Sequence, residues 1–213
     1  MLNTRYKPSF KEENLLREQG YRIIAGVDEV GRGALMGPVV AAAVILPDVI
    51  KARWKGKVRD SKQLKQEERE YLYTYIEEVS ISMGTGYISN EVIDEVGIAK
   101  ATRLAMVEAI AQLKPEPQYI LIDYFNLPET TLPNRGVEDG DSLCFSIACA
   151  SIIAKVSRDR MVTQMDEKYP GYGFAEHKGY STSKHLECLR RKGPCPLHRR
   201  SFSPVAEIAG QQI

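Results

Sequence analysis

The chain has 213 residues, 43% of them hydrophobic, and sets 29 Lys and Arg against 28 Asp and Glu for a formal net charge of +1. That length builds one domain with a real core, or one domain and a small appendage. So balanced a total excludes bulk charge as an argument for a polyanionic or membrane partner.

In chain order, Ser9 is placed to cap a short helix over residues 10–19, which Gly20 ends. Residues 21–29 form a largely apolar strand of the kind that sits centrally in a sheet. After a glycine-bracketed turn at 31–37, residues 39–46 give a second strand and hence a hairpin. Residues 64–79 carry helical spacing in Leu64, Tyr71, Leu72, Tyr75, Ile76 and Val79. A third strand at 81–88 is punctuated by Gly84 and Gly86. An amphipathic helix at 98–113 stops before Pro115, and a short apolar strand of the parallel type at 119–123 ends on Asp123. Pro128, Pro133, Asn134, Gly136 and Gly140 make 127–140 a loop. Residues 146–168 form one long helix, first small and apolar, then charged, and a last helix covers 183–192. The order β-β-α-β-α-β-α predicts an α/β domain with a mixed sheet flanked by helices. It divides into a helical lead-in at 1–20, a main domain at 21–168 and a small basic C-terminal region at 169–213.

The opening Met1-Leu2-Asn3-Thr4-Arg5-Tyr6-Lys7 lacks the apolar core of a secretory signal, and no apolar run approaches a membrane span. A soluble, monomeric protein of a reducing cytoplasm is expected. Cys144, Cys149, Cys188 and Cys195 match no zinc module in their spacing, and the first two read as small core residues. Lys178, Lys184, Arg190, Arg191, Lys192, Arg199 and Arg200 form a local basic patch opposed by Glu176 and Glu187, of the kind that meets a polyanion. His177, His185 and His198 read as solvated loop residues without a catalytic role. Trp54, within the basic stretch 51–59, reads as partly buried rather than as a nucleic-acid contact.

The chemistry concentrates at element ends. Asp28-Glu29 closes the first strand, Asp123 closes the parallel-type strand, and Asp141 lies between the glycine-rich loop and the long helix. Buried acids are costly without a counter-charge, and catalytic groups of open α/β sheets gather at strand carboxyl ends. Hard oxygen ligands without histidine favour Mg²⁺ or Mn²⁺. Two such ions about 4 Å apart can activate a water and steady the leaving oxygen of a phosphodiester.

Asp28-Glu29-Val30-Gly31-Arg32-Gly33 resembles the signature of the type 2 ribonucleases H, and of the bacterial ribonuclease HII family in particular. Further motifs follow in order. They are Asp60-Ser61-Lys62, Gly140-Asp141 with the Ile147–Val156 helix and Arg158-Asp159, then Lys178-Gly179-Tyr180 and His198-Arg199-Arg200-Ser201-Phe202. The resemblance implies a ribonuclease H-like fold and an endonuclease acting on RNA–DNA hybrids. Such an enzyme cuts 5′ of a ribonucleotide, even a single one in duplex DNA, and leaves 3′-hydroxyl and 5′-phosphate ends. It further implies that Asp28, Glu29, Asp123 and Asp141 hold the metals. Gly31-Arg32-Gly33 would read the ribose 2′-hydroxyl through backbone groups, Tyr180 would stack on the next sugar, and Ser61 and Lys62 would contact phosphates.

Two departures from the family pattern stand out. Tyr124-Phe125 follows Asp123 where the family usually has a glycine, which puts the loop path beside the metals in question. Asp139 competes for the fourth carboxylate place, although Asp141 keeps the family's spacing to Ile147. Asp60 either caps the helix at 64 or approaches the carboxylates, and capping is expected. Two other readings remain: a structure-selective DNA nuclease with the same acids, and a non-catalytic hybrid-binding module. Gln211-Gln212-Ile213 is a fragment of a sliding-clamp-binding motif, too short to carry a reading.

Overall fold

A computed structural model describes residues 7–210; the terminal Gln211-Gln212-Ile213 fragment and most of the N-terminal segment lie outside them. The helix α1 (Lys11–Glu18) leads into the sheet strands β1 (Ile24–Val30) and β2 (Val39–Ile45). Next come α2 (Gln66–Val79), β3 (Ser82–Ile88), α3 (Asn90–Val96), α4 (Ile98–Ala111), β4 (Tyr119–Asp123) and β5 (Asn134–Val137). The chain closes with α5 (Gly140–Leu143), α6 (Phe145–Lys168), α7 (Phe174–His177), α8 (Ser183–Lys192) and α9 (Ser203–Gly210). Strand order among the described residues is β3-β2-β1-β4-β5. β1–β2 and β2–β3 are antiparallel, whereas β1–β4 and β4–β5 are parallel. The expected mixed sheet and hairpin are present.

Helices cover both faces. One core joins Ala42 and Val44 to α2 and α6; the other joins Ala25, Val27, Ala41 and Ala43 to α4. Every residue from Phe145 to Ala154 is buried, as an apolar helix running through the middle of a domain requires. α6 lies so close to β1 that a Cβ on Gly26 would come within 2.3 Å of the Ser146 backbone. Its amino end is closed by an acid from α1: Glu13 accepts from Ser146 N at 2.8 Å and from Cys144 Sγ at 3.3 Å. A carboxylate there satisfies orphan N–H groups and the helix dipole together.

Several expectations need correction. Ser9 caps nothing: Phe10 holds the cap position without a side-chain bond, and Ser9 pairs with Cys144 as an isolated bridge. The expected loop at 127–140 contains β5, a sheet edge made by pairing with β4 despite its breakers. α3 and α9 were not legible. Trp54 is only 5% exposed and stacks on Tyr75, which removes it from any nucleic-acid surface. Cys144 and Cys149 are fully buried core thiols, as expected. The three histidines are not solvated: His177 and His185 stack at 4.2 Å, and His185 Nε2 lies 3.1 Å from His198 Nε2. Arg199 is fully buried and leaves the basic patch.

Candidate active site

Strand register builds the first half of the site. Val27 pairs with Ile122, so Asp28 and Asp123 emerge side by side at the ends of parallel strands. Gly26 abuts α6 and Leu121 packs with Ile147. Two residues further along each strand, Asp28 and Asp123 therefore share that face. Asp141 arrives from α5, the single turn that precedes α6. One carboxylate oxygen from each of Asp28, Asp123 and Asp141 lies within 4.8 Å of the other two. Glu29 falls outside this three-way group; Arg32 Nη1 meets its Oε1 at 3.5 Å, and the charges of Asp123 and Lys62 also act on it. Asp139 is exposed and apart from the cluster.

Burial and mutual repulsion dominate the electrostatics of these acids. Burial drives the Asp28 carboxyl well above the usual range, and the charges of Glu29 and Asp123 push it further. Burial likewise raises Glu29 to about 7 in spite of Arg32. Asp123 is raised by burial and by Asp141, although it accepts from Asp141 N at 3.3 Å. The buried Glu29 Oε2 has no hydrogen-bond partner among the described residues. A set of oxygen donors with an unsatisfied buried member fits a hard divalent ion.

The surrounding residues divide into those facing outward and those holding the floor. Lys62 is exposed and reaches Asp141 Oδ2 at 3.3 Å. Burial draws its ammonium down, but Asp141, Asp60 and Asp28 outweigh that and leave it above the usual lysine value. Asp60 does cap, but it caps the turn Ser61–Gln63 through Lys62 N at 2.9 Å, and it also feels the charge of Asp141. Ser61 is buried, and its hydroxyl bonds Ser151 Oγ at 2.9 Å. Ser151 in turn lies near enough to Asp28 to draw its carboxyl downward against burial. The Ser61 hydroxyl is thus turned inward and steadies the site from beneath, and Ser151 is a neighbour of Asp28 that sequence reasoning missed.

Gly31 and Gly33 differ. Gly31 has φ +88° and no room for a side chain, since a Cβ would come within 2.2 Å of Arg158 Nε. Gly33 is exposed, and a Cβ there would meet nothing within 4 Å. Arg32 lies over the Phe125 ring at 4.7 Å, so one residue of the unusual Tyr124-Phe125 pair supports the loop. Tyr124 itself adopts φ +62°, a glycine-like conformation, and its N–H bonds Val137 O at 2.9 Å. The loop path beside Asp123 thus takes the left-handed turn without the glycine. Tyr180 pairs with Ala34 across an isolated bridge, and its ring lies 5.4 Å from Lys155 Nζ and 5.5 Å from Arg158 Cζ.

A family model described as Ribonuclease HII matches residues 25–205. A ribonuclease HII of Dehalococcoides mccartyi is 55% identical over 93% of this chain and 93% of its own length. One from Bacillus cereus is 48% identical over 93% of this chain and 76% of its own. Among solved structures, the ribonuclease H2 of Pyrococcus horikoshii OT3 superposes with a TM-score of 0.75 at 26% identity, covering 89% of this chain and 98% of that one.

Proposed function

The chain belongs to the ribonuclease HII family, metal-dependent endoribonucleases acting on the RNA of RNA–DNA hybrids, and we propose that it cuts 5′ of ribonucleotides embedded in duplex DNA. The observation that carries this is the convergence of Asp28, Asp123 and Asp141 within 4.8 Å of one another, on a chain whose Gly31-Arg32-Gly33 turn follows Asp28-Glu29 directly after Val30 and leaves Gly33 exposed. Asp28, Glu29, Asp123 and Asp141 would hold two divalent ions, Mg²⁺ or Mn²⁺. Bound there, the ions would supply an activated water and charge stabilisation at the phosphodiester, leaving 3′-hydroxyl and 5′-phosphate ends.

The chain's own groups bind and orient. Gly31-Arg32-Gly33 reads the 2′-hydroxyl through its main chain, because a hydroxyl needs a donor or acceptor at close approach and glycine permits it. Lys62, exposed beside Asp141, contacts the phosphate backbone. Tyr180, its ring against two cations, stacks on the sugar after the ribonucleotide. Residues 21–168 thereby form the catalytic part and 169–213 the substrate-binding part of a monomer. Its role is to remove misincorporated ribonucleotides and RNA primers in the cytoplasm.

The test is cleavage of a DNA duplex carrying one ribonucleotide, with the cut mapped. Cutting on its 5′ side in Mg²⁺ or Mn²⁺, and none in chelator, supports the reading. Equal cutting of the all-DNA duplex would replace it with a structure-selective DNA nuclease. Salt-sensitive binding without product at any metal concentration would leave a hybrid-binding module.

A further inference from the structure

Arg158 and Arg199 head the fully buried side chains of the protein, each 0% exposed. An unpaired buried charge is expensive, yet neither guanidinium is paired with a carboxylate among the described residues. Asp159, next to Arg158, is occupied by Lys155 at 2.8 Å and Arg69 at 3.6 Å. The two arginines donate to main-chain carbonyls instead. Arg199 Nη1 donates to Arg32 O at 2.9 Å and its Nε to Gly37 O at 3.0 Å. Arg158 Nε donates to Pro38 O at 3.0 Å, Nη2 to Met36 O at 3.0 Å and Nη1 to Lys178 O at 2.9 Å. Burial lowers both groups, Arg199 to about 9 with the charge of Arg158 adding to the effect.

These acceptors fall in two short segments, 32–38 and the turn that carries Tyr180. The segments are also joined to each other, since Leu35 N donates to Gly179 O at 2.8 Å and Ala34 bridges Tyr180. Peptide planarity converts the anchoring into a direction. In a trans peptide the C=O and N–H point opposite ways, so a guanidinium that draws the Arg32 carbonyl inward turns the Gly33 N–H outward. Gly33 is exposed, and its N–H has no partner among the described residues. Arg158 meanwhile packs against Gly31 and beneath the Tyr180 ring.

We propose that Arg199 and Arg158 are positioning residues: they hold the Gly31–Gly33 main chain and the Tyr180 turn as one rigid unit, and Arg199 aims the Gly33 N–H at the substrate ribose. The inference rests on the reading of Gly31-Arg32-Gly33 as the ribose reader.

The experiment compares wild type with Arg199→Lys and Arg158→Lys, which keep the charge but cannot hold two or three carbonyls in one plane. Steady-state kinetics on the single-ribonucleotide duplex give kcat/KM, and inhibition by the all-DNA duplex gives ribose-independent affinity. Hydrogen exchange follows the amides of 31–38 and of the Tyr180 turn and, as a control, those of 82–88. We expect kcat/KM to fall roughly 10–100-fold with inhibition by the all-DNA duplex unchanged, and exchange to quicken in 31–38 and the Tyr180 turn but not in 82–88. Wild-type kinetics and exchange in both variants overturn the proposal. So does a parallel loss in both duplex measurements, or failure of both variants to fold, each of which marks a purely structural role. Absence of ribose discrimination in the wild type would instead sink the ribose reader, and the exchange data would still decide whether the arginines anchor the loop.

Discussion

Two buried polar clusters in this protein are opposites in more than sign. At the strand ends, Asp28, Asp123 and Asp141 crowd together, and burial raises the carboxyls of Asp28, Asp123 and the nearby Glu29. Across the Gly31–Gly37 loop, Arg158 and Arg199 are buried more deeply still, but carbonyls engage every guanidinium nitrogen of the pair except Arg199 Nη2. Two histidines beside them, His185 and His198, are held down to about 4 by burial. The cationic side is met largely from within and reads as framework. The acidic side is met only in part, by Lys62 and by main-chain N–H groups, and crowded carboxyls raised in this way mark a functional site.

The hardest way to break the contrast is to remove one acid. Asp28→Asn and Asp141→Asn should each lower cleavage by roughly 10³-fold, on the scale of losing a group that organises transition-state charge. In chelator the same variants should melt no lower than wild type, and Asp28→Asn should melt higher, because one of several crowded buried charges is gone. Cleavage assays with Mg²⁺ and thermal melts check both halves. Wild-type cutting by both variants would remove the metal site.

pH separates the clusters by sign. Glu29 titrates near 7 in the folded chain against 4.5 unfolded. Its ionisation therefore opposes folding fully above pH 7, and that penalty lifts as pH falls toward 4.5. His185 titrates near 4 folded against 6.5 unfolded. Its contribution is intact above pH 6.5 and is lost as pH falls toward 4. Denaturant titrations in chelator should thus show Glu29→Gln losing ground to wild type on acidification and His185→Asn gaining it. Each difference should reach roughly 3 kcal/mol across its window. Slopes of the same sign would mean that the two clusters do not differ as described.

Metal addition sharpens the same point at smaller amplitude. At 100 times its dissociation constant, Mg²⁺ or Mn²⁺ should add about 2.7 kcal/mol to wild type, a rise of roughly 5–10 °C for a chain of this size. Asp28→Asn should show little of it. An equal rise in the variant would place the ion elsewhere.

What the sequence made legible follows the same division. Asp28-Glu29 and Asp123 could be read because apolar strands announce their own ends, and the long α6 because ten buried residues from Phe145 to Ala154 leave a continuous signal. β5 could not, since Asn134–Val137 is a strand only by virtue of β4 beside it. α3 was hidden by its seven-residue length between Ser89 and Gly97. Ser61 looked like a surface contact because the inward turn of its hydroxyl depends on Ser151, ninety positions away. Arg199 looked like surface charge, since its acceptors are carbonyls and carbonyls carry no residue signature.

Tyr124 gives the finest test, because it asks whether the acidic side depends on the chain's departure from its family. The residue is 69% exposed and held at φ +62°. A non-glycine residue pays about 1–2 kcal/mol for that conformation, whereas glycine pays only through its freer unfolded state. The Tyr124 ring returns part of the difference through its edge contact with Phe125, at 5.5 Å between centroids. Tyr124→Gly should therefore change stability by less than about 1 kcal/mol and leave cleavage near wild type, since the turn that carries Asp123 keeps its path. Tyr124→Val should cost about 1–3 kcal/mol, as a β-branched side chain is poorly suited to positive φ. If Tyr124→Gly instead lost activity with its stability intact, the aromatic pair would be part of the substrate surface rather than a tolerated substitute for glycine.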